Sequence, residues 1–345
     1  MPTLHQLPLK PFRTPFFLSN PHVQTILPKF IKLTKPNYQR HLHADRTGTT
    51  QVAYDFVFAN ADGSPNTDKP LAMMFHGLEG SSDSHYAVAF ASHAKNLGLD
   101  AVIVHYRGCG GVTNTAELDY NAGDTAEAQH VFTWLKQHYG YQHILASGVS
   151  LGGNMLARYM GEQGDNALCD GAVVISAPVD LTTSAKAMHR FVAKRVYTPY
   201  LLNPLLAKAF AKIEDPELVN ALKNIKTIDQ FDELYTAPRH GYGTGADYYV
   251  KASALPVLKN ITKPTLIITA KDDPFLGIIA SQADVSPSVR LLYSEHGGHV
   301  GFVSLQRRQA WGEKLHVNWL PQTTFKFFEW IMGNDKSSND AKPQN

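Results

Sequence analysis

Cysteine is scarce in this sequence: its 345 residues include two, Cys109 and Cys169. Two thiols cannot form the several cross-links that hold small secreted domains together, so a disulfide framework is excluded. Free thiols are typical of proteins in a reducing compartment. We therefore expect a cytoplasmic protein.

An excess of one charge, a long apolar run and an export signal are also missing. The 32 Lys and Arg nearly balance the 30 Asp and Glu, and a net charge of +2 is too small for a nucleic-acid-binding surface. No apolar run approaches the roughly 20 residues that span a bilayer, so we expect at most peripheral membrane contact. Residues 1–11 contain several prolines and lack the basic and apolar regions of a signal peptide, and we expect none.

What the sequence does contain is ample apolar material, 43% of all residues, in a regular order. Short apolar runs alternate with helical patterns along most of the chain. The predicted strands are 52–58, 71–75, 101–104, 143–149, 172–176, 265–269 and 289–293, and the predicted helices include 123–136, 151–161 and 323–332. Continuously apolar strands that alternate with helices indicate a parallel sheet covered on both faces. The pattern predicts a doubly wound α/β fold with a mostly parallel central sheet.

One long stretch interrupts this alternation of strands and helices, and the two ends of the chain do not follow it. Residues 1–40 are rich in proline and aromatic residues, which predicts an irregular arm packed against the body. Residues 181–256 are longer than one crossover and indicate an inserted helical cap. Residues 333–345 are polar and lack aromatic residues, which predicts a disordered tail. We expect a single domain over residues 1–332.

The pentapeptide Gly148-Val149-Ser150-Leu151-Gly152 has the pattern GxSxG and lies between a predicted strand and a predicted helix. Glycines at both flanks permit the strained turn that exposes a nucleophilic serine at such a junction. A serine hydroxyl attacks poorly at neutral pH unless a base removes its proton and a carboxylate orients that base. Ser150 therefore predicts an acid and then a histidine further along the chain, each after a strand.

The acid is expected in the loop after strand 265–269, where Asp272 and Asp273 are adjacent. We favour Asp273, because Pro274 fixes the chain just after it and the acids of such sites commonly take this second position. Asp180 is a less favoured alternative, since a minority of sites with a serine nucleophile take the acid from the loop after an earlier strand. Its other interpretation is the N-cap of the first helix of the cap, a role that aspartate fills readily.

The base is expected in the loop after strand 289–293, which contains His296 and His299. We prefer His299, because glycines on both sides let the loop bring its imidazole close to the serine, whereas His296 is interpreted as a partly exposed loop residue. A metal site made of these histidines and the neighbouring acids is disfavoured, because no HExxH pattern or cysteine pair accompanies them. We expect no metal and no cofactor.

Acyl transfer also requires hydrogen-bond donors for the oxyanion, which commonly supply the largest electrostatic contribution. His76-Gly77-Leu78 directly follows strand 71–75, where such sites take one backbone N–H. We assign the backbone N–H groups of Leu78 and Leu151 as the two donors. His76 itself is expected to be structural.

The glycine-rich stretch at residues 106–111 follows another predicted strand. It matches neither GxGxxG nor GxxxxGK[ST], so we do not expect dinucleotide binding. Arg107 is interpreted as a residue that ties loops together. Cys109 is a less favoured nucleophile than Ser150.

Seven short motifs together carry a family resemblance. They are NPHVQTI at 20–26, HGLEGSS at 76–82, RGC at 107–109, AGDT at 122–125, GVSLGGN at 148–154, DDPF at 272–275 and GGHVGF at 297–302. From about residue 12 to residue 332 the chain resembles the YheT-like branch of the α/β-hydrolase superfamily, also called the AB hydrolase 4 family. That family includes monoacylglycerol-lipase and phospholipase-like members. Gly110-Gly111 is a small departure, since the family often continues with serine and glycine there.

The resemblance implies an α/β-hydrolase fold and hydrolysis of carboxylic esters, with Ser150, Asp273 and His299 as the triad. The implied substrate is a small-molecule or lipid-like ester, of the short-chain carboxylesterase or acylglycerol-lipase type, and the cap would supply an apolar acyl pocket or pack as ordinary core. Two alternatives stay open. One is a thioesterase or acyltransferase with the same triad, and the other is a non-catalytic sensor or interaction module, which three filled triad positions disfavour.

Overall fold

An eight-stranded sheet forms the centre of the computed structural model, which describes residues 3–308 and 312–339. Its strands are β1 (Gln39–Ala44), β2 (Gln51–Val57), β3 (Leu71–Phe75), β4 (Ala101–Val104), β5 (Ile144–Val149), β6 (Gly171–Ile175), β7 (Thr265–Ala270) and β8 (Val289–Ser294). The spatial order is β1-β2-β4-β3-β5-β6-β7-β8. β2 pairs antiparallel with β1 and β4, and the other neighbours are parallel. The prediction of a mostly parallel sheet is confirmed.

Helices cover both faces of this sheet. They are α1 (Pro21–Ile26), α2 (His85–Asn96), α3 (Thr125–Tyr139), α4 (Leu151–Gln163), α5 (Leu181–Ala187), α6 (Thr198–Phe210), α7 (Pro216–Asn224), α8 (Ile228–Phe231), α9 (Ala237–Arg239), α10 (Gly245–Ala252) and α11 (Trp319–Asn339). Side chains of α3 and α4 pack with Met73 and Phe75 in one core cluster. Side chains of α2 and α11 pack with Ala72 and Met74 in a second cluster on the opposite face. Burial on both faces explains why the strands are continuously apolar.

Several elements differ from the sequence prediction, among them the short helix α1 in the arm that was expected to be irregular. β1 was not predicted, because its residues are mostly polar and the strand is largely exposed at the edge of the sheet. The antiparallel hairpin of β9 (Ser304–Arg308) and β10 (Gly312–His316) has a similarly polar sequence. α2 was also not predicted, and its buried face consists mainly of small alanines together with Phe90. Polar edge strands lack the apolar runs on which the prediction depended.

The chain between β6 and β7 is helical and contains α5 to α10. We call residues 181–256 the helical insertion. Two π-helical turns, Ala193–Tyr197 and Asp232–Thr236, continue directly into α6 and α9. Leu202, Leu222 and Phe231 belong to a buried cluster of their own, separate from the two clusters on the sheet. The insertion therefore has its own small core.

The two ends of the chain pack differently. Leu4, Leu7 and Phe12 of the N-terminal arm are buried in the same core cluster as α2 and α11. At the other end, α11 starts at Trp319 and continues to Asn339, so residues 333–339 of the expected disordered tail are helical. Extending an existing helix needs no new nucleus, and polar residues can therefore join it. Residues 340–345 of that predicted tail lie outside the described residues.

Candidate active site

Ser150 lies at the junction of β5 and α4, as the pentapeptide predicts. Its backbone has φ 53° and ψ −118°, a conformation that non-glycine residues rarely adopt. Its N–H donates to Ile175 O at 2.8 Å, and its C=O accepts from Asn154 N at 3.0 Å. A Cβ atom on Gly152 would lie 2.5 Å from His76 O, so only glycine permits this close approach of α4 to the end of β3. The turn therefore holds the serine side chain out from the sheet.

His299 and Asp273 lie beside this serine. His299 Nε2 is 2.9 Å from Ser150 Oγ, and His299 Nδ1 is 2.9 Å from Asp273 Oδ2. Because a carboxylate only accepts, Nδ1 carries the proton and Nε2 is free to accept from the hydroxyl. Asp273 is 4% exposed, and its Oδ1 also accepts from Phe275 N at 2.9 Å. The three side chains form one continuous hydrogen-bonded chain.

The alternative residues take up other positions. Asp180 is the N-cap of α5, and its carboxylate accepts from Thr183 N at 2.9 Å. Asp272 accepts from Gly298 N at 2.9 Å and faces His296 Nδ1 at 3.4 Å. Burial raises the pKa of Asp272 above its ordinary value. Asp272 thus fastens the histidine loop, while Asp273 contacts the imidazole.

His76 is buried beneath the loop that contains Leu78. Its Nδ1 bonds to Gly77 O at 2.7 Å, and its Nε2 accepts from Tyr106 N at 3.4 Å. Burial lowers the pKa of His76 to about 3, so the ring is neutral at ordinary pH. A neutral ring with both nitrogens bonded to the backbone has a structural role, in agreement with the expectation from sequence.

Leu78 and Leu151 line the same cavity as Ser150 and His299. The hydrogen bonds among the described residues use neither the Leu78 N–H nor the Leu151 N–H. Both backbone groups are therefore available to a ligand.

Cys109 and Arg107 follow β4, close to this site. Cys109 is 3% exposed, and burial raises the pKa of its thiol to about 12, so the thiol is protonated at neutral pH. Arg107 is 2% exposed and bonds to Asp45 at 2.7 Å, Asp124 at 3.2 Å and Glu127 at 2.6 Å. These acids belong to the β1–β2 turn and the start of α3, so Arg107 does tie loops together.

Two residues of α1 hold the histidine loop, and their contacts with it were not predicted from the sequence. Gln24 is fully buried, its Oε1 accepts from Val303 N at 2.7 Å, and its Nε2 donates to Val303 O at 2.9 Å. Thr25 Oγ1 accepts from His299 N at 2.9 Å. The NPHVQTI motif was the available signal, but it does not reveal contacts that span more than 270 residues.

A row of contacting aromatic rings extends from His299 to the insertion and the arm. The ring of Phe275 stacks on the imidazole with centroids 4.1 Å apart and an interplanar angle of 16°. Tyr197 of the insertion contacts Phe275 at 4.7 Å, and its OH lies 2.9 Å from His22 Nδ1 of the arm. Ring stacking limits the rotation of His299, so the arm and the insertion both contribute to its orientation.

A cavity of about 820 Å³ opens above Ser150. Its lining comes from three parts of the chain, namely the strand-end loops, the arm and the helical insertion. Leu201, Leu205 and Met188 of the insertion supply apolar wall. Its size lies within the range of small-molecule sites. The arrangement can therefore enclose an apolar ligand with one end at the serine.

Comparison with known proteins defines the class. A family model described as the alpha/beta hydrolase fold matches residues 70–304. The Pyrococcus furiosus esterase Pf2001 has a similar fold, with a TM-score of 0.54, 17% sequence identity, and coverage of 93% of this chain and 98% of that one. The fold and the site geometry define an α/β hydrolase.

Two curated relatives narrow this class. The chain is 39% identical over 315 residues to YheT of Escherichia coli (strain K12), covering 88% of this chain and 90% of YheT. It is 30% identical over 278 residues to the monoacylglycerol lipase of Saccharomyces cerevisiae (strain ATCC 204508 / S288c), covering 76% of this chain and 62% of the yeast protein. The chain belongs to the YheT-like branch of the esterase- and lipase-type α/β hydrolases. Within the described residues, no helix has the length and apolar character needed to cross a bilayer.

Proposed function

We propose that this protein hydrolyses carboxylic esters through an acyl-enzyme intermediate, with Ser150 as nucleophile, His299 as base and Asp273 as the orienting acid. The observation that carries the proposal is the hydrogen-bonded chain from Asp273 through His299 to Ser150. The distance from Asp273 Oδ2 to His299 Nδ1 and the distance from His299 Nε2 to Ser150 Oγ are both 2.9 Å. This geometry lets the imidazole take the serine proton as the hydroxyl attacks.

The proposed reaction has two steps. Ser150 Oγ attacks the ester carbonyl while His299 Nε2 takes its proton, and the Leu78 and Leu151 N–H groups bind the oxyanion. The protonated imidazole then gives its proton to the departing alcohol, which leaves an acyl group on the serine. Water, activated by the same imidazole, releases the acid and restores the enzyme. Asp273 stabilises the imidazolium in both steps.

The proposed substrate has an apolar acyl group. Two observations support this class: the cavity above Ser150 has apolar walls from the helical insertion, and a curated relative is named a monoacylglycerol lipase. In this proposal residues 181–256 act as a cap over the bound ester. Excluding water from the acyl group would strengthen the hydrogen bonds to the oxyanion.

Active-site labelling tests the nucleophile. A fluorophosphonate reacts with an activated serine, so wild-type protein should be labelled rapidly and Ser150→Ala should not. Ser184→Ala is the matched control, because Ser184 also lines the cavity and its Oγ accepts from Gly277 N at 3.4 Å instead of bonding to His299. Labelling that persists in folded Ser150→Ala, or its absence in the folded wild type, would refute the proposal.

A further inference from the structure

Residues 27–35 of the arm and 188–201 of the helical insertion contact each other beside the cavity, and each of these two segments supplies several lining residues. Lys29 and Phe30 come from the arm, and Phe191 and Tyr200 come from the helical insertion. Lys29 Nζ lies 3.4 Å from the centre of the Tyr200 ring, and both residues line the cavity. Arg195 stacks on Phe191 at 3.9 Å. We call Lys29, Phe30, Phe191, Lys194, Arg195 and Tyr200 the rim.

Exposed aromatic side chains are concentrated on these two segments. Phe30 is 75% exposed, Phe191 70% and Tyr200 61%. Phe16 and Phe17, on the same arm, are also largely exposed. Among the large apolar side chains of the described residues outside 1–44 and 181–213, Val250 is the only one with a comparable exposure, 64%. Scattered exposure on a soluble protein needs no explanation, but a concentration at a cavity mouth marks a binding surface.

Positively charged side chains are concentrated in the same parts of the chain as the exposed aromatic rings. Residues 1–44 and 181–213 together contain 12 of the 32 Lys and Arg of the chain and none of its 30 Asp and Glu. The remainder of the sequence is therefore net acidic, although the whole chain carries only +2. Positive charge is thus concentrated on the parts of the protein that include the cavity mouth.

Acidic neighbours do not neutralise the rim. Four of the twelve basic residues form ion pairs with acids of the body, namely Lys35, Arg40, Lys208 and Lys212. Two acids of the insertion also line the cavity: Asp229 lies 3.1 Å from His189 Nε2, and Asp232 accepts from Tyr249 OH at 2.7 Å. Lys29, Lys194 and Arg195 have no acidic partner among the described side chains, and all three are exposed. Their charges are available to a negatively charged partner.

We propose that the rim docks on the surface of an anionic lipid bilayer, so that a lipid ester can pass from the bilayer directly into the cavity. Exposed aromatic rings insert at the boundary between headgroups and acyl chains, while lysine and arginine attract anionic headgroups. Both kinds of side chain occur together at the rim. Delivery of a lipid ester to the cavity rests on the proposed ester hydrolysis. The docking itself does not require catalysis.

Vesicle binding tests the surface. Full-length protein carrying Ser150→Ala is sedimented with vesicles of phosphatidylcholine containing one quarter phosphatidylglycerol, and separately with pure phosphatidylcholine vesicles. We expect binding to the anionic vesicles that weakens as salt is added. The double variant Lys194→Glu/Arg195→Glu should lower the binding constant by at least about fivefold for each substituted residue, since each change removes a positive charge and adds a negative one. Phe30→Ser/Phe191→Ser should lower it by about tenfold or more.

Matched controls lie away from the rim. Lys95→Glu/Lys259→Glu removes two exposed charges that precede β4 and β7, at the opposite edge of the sheet from the site. Val250→Ser removes the exposed apolar side chain on α10. Both controls should bind like the parent protein. Equal binding by rim and control variants would overturn the proposal, as would equal binding to neutral vesicles. A rim-dependent change in self-association without vesicles would also overturn it, since a second copy would then cover the rim.

Two activity assays separate this inference from the proposed function. With a dissolved nitrophenyl acetate, the rim variants should match the wild type, because these side chains lie outside the reacting groups. With a lipid ester embedded in anionic vesicles, the same variants should lose at least tenfold in rate. A protein that binds vesicles but hydrolyses neither ester contradicts only the proposed function. One that hydrolyses the dissolved ester without binding vesicles contradicts only the docking.

Discussion

Ser150 keeps a backbone conformation that costs free energy, on the order of 1–3 kcal/mol for a residue of this kind. Hydrogen bonds around the turn hold Ser150 in this conformation. Asn154 is fully buried, its Nδ2 donates to Ala122 O and Ala252 O at 2.9 Å each, and its Oδ1 accepts from Ala254 N at 2.9 Å. These bonds fix the first turn of α4 to the chain on both sides. The strain is therefore held by the surrounding structure and aims the hydroxyl at His299.

Substitution of the acid provides a prediction at the same scale. Asp273→Asn should lower kcat by about 10³- to 10⁴-fold, because an amide can donate to Nδ1 and then favours the tautomer that cannot take the serine proton. Hydrolysis of nitrophenyl butyrate measures the loss, and thermal unfolding checks that the protein is folded.

The two competing aspartates serve as controls for this change. Asp180→Asn should keep nearly full turnover, since asparagine also caps helices well and Asp180 contacts α5 instead of the histidine. Asp272→Asn should retain more activity than Asp273→Asn. Near-full turnover in folded Asp273→Asn, combined with its loss in Asp180→Asn, would contradict the assignment.

Elements differ in how far their positions can be predicted from sequence. Strands β3 to β7 are buried on both faces, and the apolar runs placed these strands and the half-buried edge strand β8 within one or two residues of their observed bounds. β1 and the hairpin of β9 and β10 are polar, so the same criterion missed them. Ser150, Asp273 and His299 could be predicted because each follows a strand in a known order. Gln24 could not, because its partners are set by tertiary packing.

The contact between α1 and the histidine loop leads to a second prediction. Gln24→Leu would leave the N–H of Val303 and the C=O of Leu18 without their hydrogen-bond partner, at a cost of about 1–3 kcal/mol for each unsatisfied group. We expect a lower Tm and a lower kcat, because the loop that carries His299 loses one of its attachments to the arm, while the bond from His299 N to Thr25 Oγ1 remains. Nitrophenyl butyrate hydrolysis and thermal unfolding measure the two effects.

A glutamine on α3 supplies the comparison for Gln24. Gln129→Leu removes one hydrogen bond, from Tyr159 OH at 2.8 Å, and this pair has no contact with the histidine loop. It should lower Tm slightly and leave kcat unchanged. If both variants lowered Tm but neither changed kcat, Gln24 would contribute only to stability.

Over the whole molecule, the site is shared between parts that are distant in sequence. The strand ends supply the hydrogen-bonded chain, the arm fastens the histidine loop, and the insertion lines part of the cavity. Apolar periodicity reports which residues are buried, but it cannot show whether an apolar side chain faces a core or a cavity. Leu202 packs inside the insertion, whereas its neighbour Leu201 faces the cavity. We therefore expect substitutions at cavity-facing positions, but not at core positions, to change how the substrate binds.

Acyl-chain length is therefore the property that we expect the whole cavity to control. Along a series of nitrophenyl esters from acetate to octanoate, kcat/KM should rise by about fourfold for each added methylene, since burying one is worth about 0.8 kcal/mol. Leu201→Trp should fill part of the cavity, ending the rise at a shorter chain while leaving acetate hydrolysis unchanged. Val250→Trp, at an exposed position outside the cavity, should keep the wild-type profile. A profile that is flat, or equally steep in Leu201→Trp, would show that the acyl group binds elsewhere.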